Sequence, residues 1–166
     1  DTTTDTKRDL DIDVAPLRRL ALAALALVAP GATAAMVIVE PVVRTVVGVD
    51  FSAAAPAFIP AAAVVVLAPL HSMIVQLTAL RFRPEVALAT GMVAAGVFAL
   101  VAVLAVPAAD PGDEATAALV ATLAGFGAAV AVGAVAFRRA LGGRIIALSA
   151  LGAIAVLAVG TVTVGW

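Results

Sequence analysis

The residues best suited to chemistry lie inside a long apolar stretch, in the segment Ala-Pro-Leu-His-Ser-Met-Ile-Val-Gln at residues 68–76. His71 is the only histidine of the chain. In a helix, Ser72 and Gln76 share one face, whereas Thr78 shares the face of His71. Polar side chains deep in a membrane face the protein interior or a water-filled cavity. We therefore predict an intramembrane polar site at His71, Ser72 and Gln76.

Two roles for the imidazole of His71 remain open. An imidazole that titrates near neutrality could relay protons or sense pH. Alternatively, the ring donates a hydrogen bond to a carbonyl freed by a nearby proline, which is a structural role. The nearest acid on the preceding apolar span is Glu40, about 15 Å away along a helix. A proton path from His71 would therefore need waters or another subunit.

The composition excludes several kinds of site. The chain has no cysteine, which excludes disulfides, iron–sulfur clusters and thiolate catalysis. A single histidine cannot form a bis-histidine haem site or a histidine-rich zinc site within one chain. Retinal binding is excluded because no apolar span contains a lysine. We therefore predict no metal, no cofactor and no enzymatic activity. The net charge of −1 gives no indication of a nucleic-acid partner.

Prolines interrupt two of the apolar stretches at similar depth. Pro30-Gly31 and Pro69 each lie about 15 Å from one end of a stretch, if it is helical. Since proline lacks an N–H, we expect helix breaks at these positions. Interrupted helices that meet at mid-membrane form the substrate sites of many transporters. Simple proline kinks without such a role are also common in membrane helices.

The elements that must position these residues are membrane-spanning helices. The chain is 64% hydrophobic and 13% charged, whereas soluble domains carry about 25% charged residues. A bilayer core requires about 20 apolar residues per helix. We predict an all-α integral membrane protein with a tail at residues 1–19 and a five-helix bundle at residues 20–166, its spans at about 20–39, 57–80, 86–106, 115–137 and 145–164.

The distribution of basic residues predicts the orientation. With five spans, nine of the ten basic residues lie on one side: Lys7, Arg8, Arg18, Arg19, Arg81, Arg83, Arg138, Arg139 and Arg144. The other side has only Arg44. The positive-inside rule then places the N-terminus in the cytoplasm and the C-terminus outside a cell membrane. An alternative for the first span is a signal peptide cleaved near Ala32-Thr-Ala34. We interpret the span as a retained anchor.

Small residues recur every four positions on two spans. Span four has Ala117, Ala121, Gly125, Ala129 and Gly133, and span three has the shorter series Gly91, Ala95 and Ala99. Such stripes let helices approach closely in lipid, where hydrophobicity does not drive association. We predict helix packing along Ala121, Gly125, Ala129 and Gly133. The contact lies either within one subunit or between subunits.

The N-terminal tail alternates acidic and apolar residues from Asp9 to Val14. In an extended chain this pattern places Leu10, Ile12 and Val14 on one side. We predict that these three residues contact a partner surface. On composition alone, a disordered acidic tail is the alternative.

Three functional classes follow. We expect a non-catalytic membrane subunit that packs with other subunits, or with itself, within the lipid bilayer. The alternative is a small oligomeric transporter or channel with its site near His71. An intramembrane enzyme is the weakest class, because no carboxylate pair, metal set or nucleophile–base couple lies at one depth.

Overall fold

The structure, a computed structural model, describes residues 13–48, 54–81 and 83–164. Most of these residues are helical and none of them forms a strand; the α-helices are α1 Ala15–Val42, α2 Phe58–Leu80, α3 Pro84–Ala105, α4 Glu114–Ala136, α5 Arg138–Leu141 and α6 Gly143–Val164. Five helices, all except the four-residue α5, are long and apolar enough to cross a membrane. The prediction of an all-α chain with five apolar spans is confirmed.

The helix ends have local causes. Pro16 lies in the first turn of α1, where its missing N–H has no cost, and Asp13 accepts a hydrogen bond of 2.9 Å from the N–H of Ala15. Helix α1 starts five residues before the predicted span. The reason is that Val14 and Leu17 also pack against the core. Between α5 and α6, Gly142 has a φ of 77°, which favours glycine.

Helix α2 lies at the centre of the bundle. It packs against α1 and α6 on one side and against α4 on another. Helix α3 packs almost entirely on α4 and touches α2 only slightly, although a short turn joins α2 to α3. The core has two clusters along α2, one around Leu70 and Leu77 and the other around Ile59 and Val66. This arrangement leaves one side of α2 and one side of α3 facing a gap.

Helices α1 and α2 continue through Pro30 and Pro69, and neither helix ends at that proline. The breaks expected at Pro30, Gly31 and Pro69 are therefore not present in the backbone. Each proline removes a single helical donor, and the turns on both sides of it remain packed against neighbouring helices.

Helix α1 is extended by a short π-helical segment, Val43–Val47. Its helical course places Glu40 and Arg44 one turn apart. Their side chains form an ion pair with Arg44 Nε and Glu40 Oε1 separated by 3.3 Å. Residues four positions apart are neighbours on a helix surface, which brings these two side chains together.

Candidate functional site

The gap between α2 and α3 is a groove with a volume of about 1010 Å³. Helices α2 and α3 form its walls, and α4 contributes Gly125, Phe126 and Ala129 to its floor. From Pro84 at one end to Phe98 at the other, the groove follows α3 for about 21 Å at 1.5 Å per residue. Its length is therefore about two thirds of the thickness of a hydrocarbon core, which is about 30 Å.

The wall of the groove is chemically apolar. Three threonines line it, and each hydroxyl donates to a carbonyl of its own helix. Thr78 donates to Ile74 at 2.8 Å, Thr90 to Val86 at 2.9 Å and Thr122 to Ala118 at 2.9 Å. At one end of the groove, Arg83 is paired with Glu85 at 2.7 Å. The groove thus suits an apolar occupant.

His71 lies in the wall of the groove, about 14 Å from the end of α2. Its ring packs on Phe126 with the ring centroids 4.7 Å apart and the planes at 47°. The Nδ1 atom is buried and has no hydrogen-bond partner among the described residues. A buried polar atom without a partner costs about 1–3 kcal/mol, so His71 marks a place where the described chain leaves a polar group unsatisfied. Thr78, seven residues on, lines the same groove.

Ser72 and Gln76 lie on a different face of α2. Both are exposed, and they line a separate cavity of about 350 Å³ between α1 and α2, together with Pro69. The structure therefore does not bring Ser72 and Gln76 into one site with His71. The reason is helical geometry: successive residues are about 100° apart, so His71 and Ser72 point to different neighbours.

The small-residue stripe of α4 is filled by other helices of the same chain. Ala121, Gly125, Ala129 and Gly133 are all buried. A Cβ on Gly125 would come within 2.7 Å of the Ala94 carbonyl oxygen of α3. A Cβ on Gly133 would collide with the side chain of Ile74 in α2. Two different helices, α3 and α2, thus pack on the same stripe of α4.

The stripe of α3 is open. Gly91, Ala95 and Ala99 are exposed, and Gly91 and Ala95 line the groove. A Cβ on Gly91 would meet nothing within 4 Å. Gly96 is equally unobstructed but does not line the groove. The described part of the chain therefore contains no helix packed on the α3 stripe.

The tail prediction is only partly within the described residues. Leu10 and Ile12 lie outside them. Val14 is partly buried and packs against the core of its own chain. In residues 13–48, 54–81 and 83–164, no group of three or more metal-binding side chains is close enough to hold a metal ion.

Reasoning from the sequence missed the groove itself. The spacing of Gly91 and Ala95 was the available signal, but the same spacing on α4 is filled within the chain. Comparison with protein-family models, with curated proteins and with solved structures finds no match to this chain.

Proposed function

We propose that this protein is a non-catalytic subunit of a larger membrane assembly and that its groove receives a transmembrane helix of another subunit. The observation that carries the proposal is the open stripe of Gly91 and Ala95 along a groove of about 1010 Å³. Small residues four positions apart permit a close approach of two helix backbones, which is how helices associate in lipid.

The chemistry of the groove supports a helix as the occupant. The threonine hydroxyls are satisfied within their own helices, so the wall offers few polar groups to a water-soluble substrate. A lipid chain could also lie in an apolar groove, but it adapts to uneven surfaces and gains little from a regular stripe of small residues. A second helix gains close backbone contact from such a stripe.

A cross-linking experiment can identify the occupant. The chain has no cysteine, so single-cysteine variants carry one unique attachment point. A photoreactive group attached to Ala95→Cys, in the groove, is activated in native membranes and the adduct is analysed by mass spectrometry. The same group on Gly96→Cys, elsewhere on α3, is the matched control. The proposal expects a stoichiometric protein adduct from position 95 that is weak or missing from position 96.

A second pair of variants tests the stripe. Gly91→Leu fills the groove, whereas Gly96→Leu adds the same side chain to open space outside it. We expect Gly91→Leu to abolish co-purification of the cross-linked partner and Gly96→Leu to retain it. Adducts with lipid alone, or equal behaviour of the two leucine variants, would refute the proposal. Adducts with a second copy of this chain would show that the helix in the groove comes from self-association and not from a different subunit.

The unpaired Nδ1 atom of His71 supports a second candidate, a small oligomeric transporter or channel. The continuous course of α1 and α2 through their prolines removes one of the arguments for it. The test is flux of ions or solutes in vesicles that contain the purified protein. A flux that His71→Ala abolishes and Ser72→Ala leaves intact would favour the transporter, because the two residues line different cavities.

The proposal includes a cell-membrane location with the N-terminus inside. It is supported by the arginine distribution along the chain. Gly143→Cys, at the first residue of α6, and Asp110→Cys, in the connection between α3 and α4, introduce labels at opposite ends of the bundle. An impermeant thiol reagent added to intact cells should react with position 110 and spare position 143. The reverse pattern would refute the orientation without affecting the groove.

A further inference from the structure

A small polar cavity lies at the end of the bundle where the chain turns from α2 to α3 and from α4 to α6. Its volume is about 250 Å³, and it is lined by Arg81, Arg138 and Arg139 together with the chain at 135–140. We call it the arginine pocket. It is several times larger than the roughly 30 Å³ that one water molecule occupies in the liquid.

The backbone around the arginine pocket is held by the core. Phe137, Ala140 and Leu141, which flank Arg138 and Arg139, are 3%, 5% and 1% exposed. Arg81 follows α2 directly, and its N–H donates to the carbonyl of the fully buried Leu77 at 3.0 Å. The backbone positions from which the three guanidinium groups extend are therefore fixed.

A fourth arginine forms hydrogen bonds with two backbone carbonyl groups beside the pocket. The Arg18 guanidinium donates to the carbonyl oxygens of Ala140 and, at 2.8 Å, Arg139. The free carbonyls at a helix end otherwise carry partial negative charge that would repel an anion. Arg18 satisfies these two carbonyls and adds a positive charge beside the pocket.

The arginines of the pocket have no carboxylate partner in the described part of the chain. The two ion pairs among those residues engage Arg44 with Glu40 and Arg83 with Glu85. Arg81, Arg138 and Arg139 also donate no side-chain hydrogen bond to any described residue, unlike Arg18. Three arginines thus line one cavity, and guanidinium groups bind phosphate oxygens in a bidentate manner.

We propose that the arginine pocket binds the phosphate group of an anionic phospholipid. Helices α2 and α4 end at Leu80 and Ala136, next to the pocket, after 23 apolar-rich residues each. Such a helix is about 35 Å long and reaches from the hydrocarbon core into the headgroup layer. The pocket therefore lies at the level of the lipid phosphates. This site is independent of the groove and of the subunit proposed to fill it.

The test uses the purified full chain and native mass spectrometry. The protein is equilibrated with phosphatidylglycerol or with phosphatidylcholine of identical acyl chains, and the retained lipids are counted. We expect preferential retention of phosphatidylglycerol. The triple variant R81Q/R138Q/R139Q should reduce this retention by about tenfold more than the triple variant R19Q/R83Q/R144Q, since only the first replaces arginines that line the pocket.

The control variant removes the same charge from the same end of the bundle. Equal losses in the two triple variants would show a general attraction of anionic lipid to positive charge and would overturn the proposal. The triple variant R81K/R138K/R139K keeps the charge but loses the bidentate geometry, so an intermediate loss is expected. Equal helical content and melting in all variants, by circular dichroism, excludes misfolding.

A further experiment tests whether the bound phosphate group belongs to a lipid headgroup or to a soluble phosphate. Inorganic phosphate is added to the delipidated protein, with binding followed by calorimetry. It is added separately to the protein loaded with phosphatidylglycerol, with the retained lipid counted by native mass spectrometry. The proposal expects no binding that depends on the three arginines and no displacement of phosphatidylglycerol. Saturable phosphate binding that R81Q/R138Q/R139Q abolishes would overturn the assignment to lipid.

Discussion

Helices α3 and α4 carry the same sequence feature with opposite outcomes. On α4, the stripe of Ala121, Gly125, Ala129 and Gly133 is buried under two helices of the same chain. On α3, the stripe that begins at Gly91 faces an open groove. The spacing of small residues therefore marks a surface at which a helix can approach closely, but it does not identify the helix that approaches.

The difference also shows which of the two stripes contributes to the stability of the folded protein. Close packing on α4 contributes to the stability of the isolated protein, whereas the stripe on α3 is available to another molecule. Variants in the α4 stripe should thus alter folding, and variants in the α3 stripe should alter association and leave folding intact. Three stability measurements test this contrast.

The largest effect is expected at Gly125. Gly125→Leu places a side chain against the Ala94 carbonyl and Phe98 of α3, which cannot retreat without a backbone shift. We expect a loss of about 3 kcal/mol in the free energy of unfolding, measured by titration with sodium dodecyl sulfate in mixed micelles. The control is Gly127→Leu on the same helix, where a Cβ meets nothing within 4 Å. Equal losses in both variants would contradict the packing of α3 on Gly125.

An intermediate effect is expected at Gly133. Gly133→Ala brings a methyl group into contact with Ile74, a side chain that is 2% exposed and can partly adjust. The expected loss is about 1–2 kcal/mol. Ile74→Ala makes room for the methyl group. The loss in the double variant should therefore be about 1 kcal/mol smaller than the sum of the losses in the two single variants. Strict additivity in this double-mutant cycle would show that the two residues do not touch.

The smallest effect is expected at Gly91 and has the opposite sign. Gly91→Ala removes a flexible glycine from a helix without creating a contact, because a Cβ there meets nothing within 4 Å. The isolated protein should gain about 0.5–1 kcal/mol in the same titration. A loss of stability would mean that the α3 stripe is already occupied within the chain.

The positions of the long helices, and which residues share one face of a helix, could be predicted from the sequence. The chain shows the five spans expected, and the seven-residue spacing places His71 and Thr78 in one groove. The predicted polar site joined His71 to Ser72, which lies about 100° around the helix. Contacts between segments distant in the chain determine which helix covers each side of α2. As a result, His71 and Ser72 line different cavities.

Local rules predicted the helix ends and interruptions less well. The connection at 138–144 contains the short helix α5, and Arg18 binds the carbonyls of Ala140 and Arg139 there. Arg18 is more than 120 residues away in the chain, so no local pattern indicates this contact. The expected breaks at Pro30 and Pro69 are missing because packing on both sides maintains the helices.

By itself, the sequence determined that this chain is a set of five apolar helices, since composition and the length of the apolar stretches decide this. Only the tertiary structure decided that α4 is covered, that α3 is open and that His71 lies in the wall between them. The physical reason is that lipid is as apolar as the helix surfaces. Hydrophobicity therefore cannot distinguish a face that packs from a face that remains exposed, and shape complementarity between helices makes that choice.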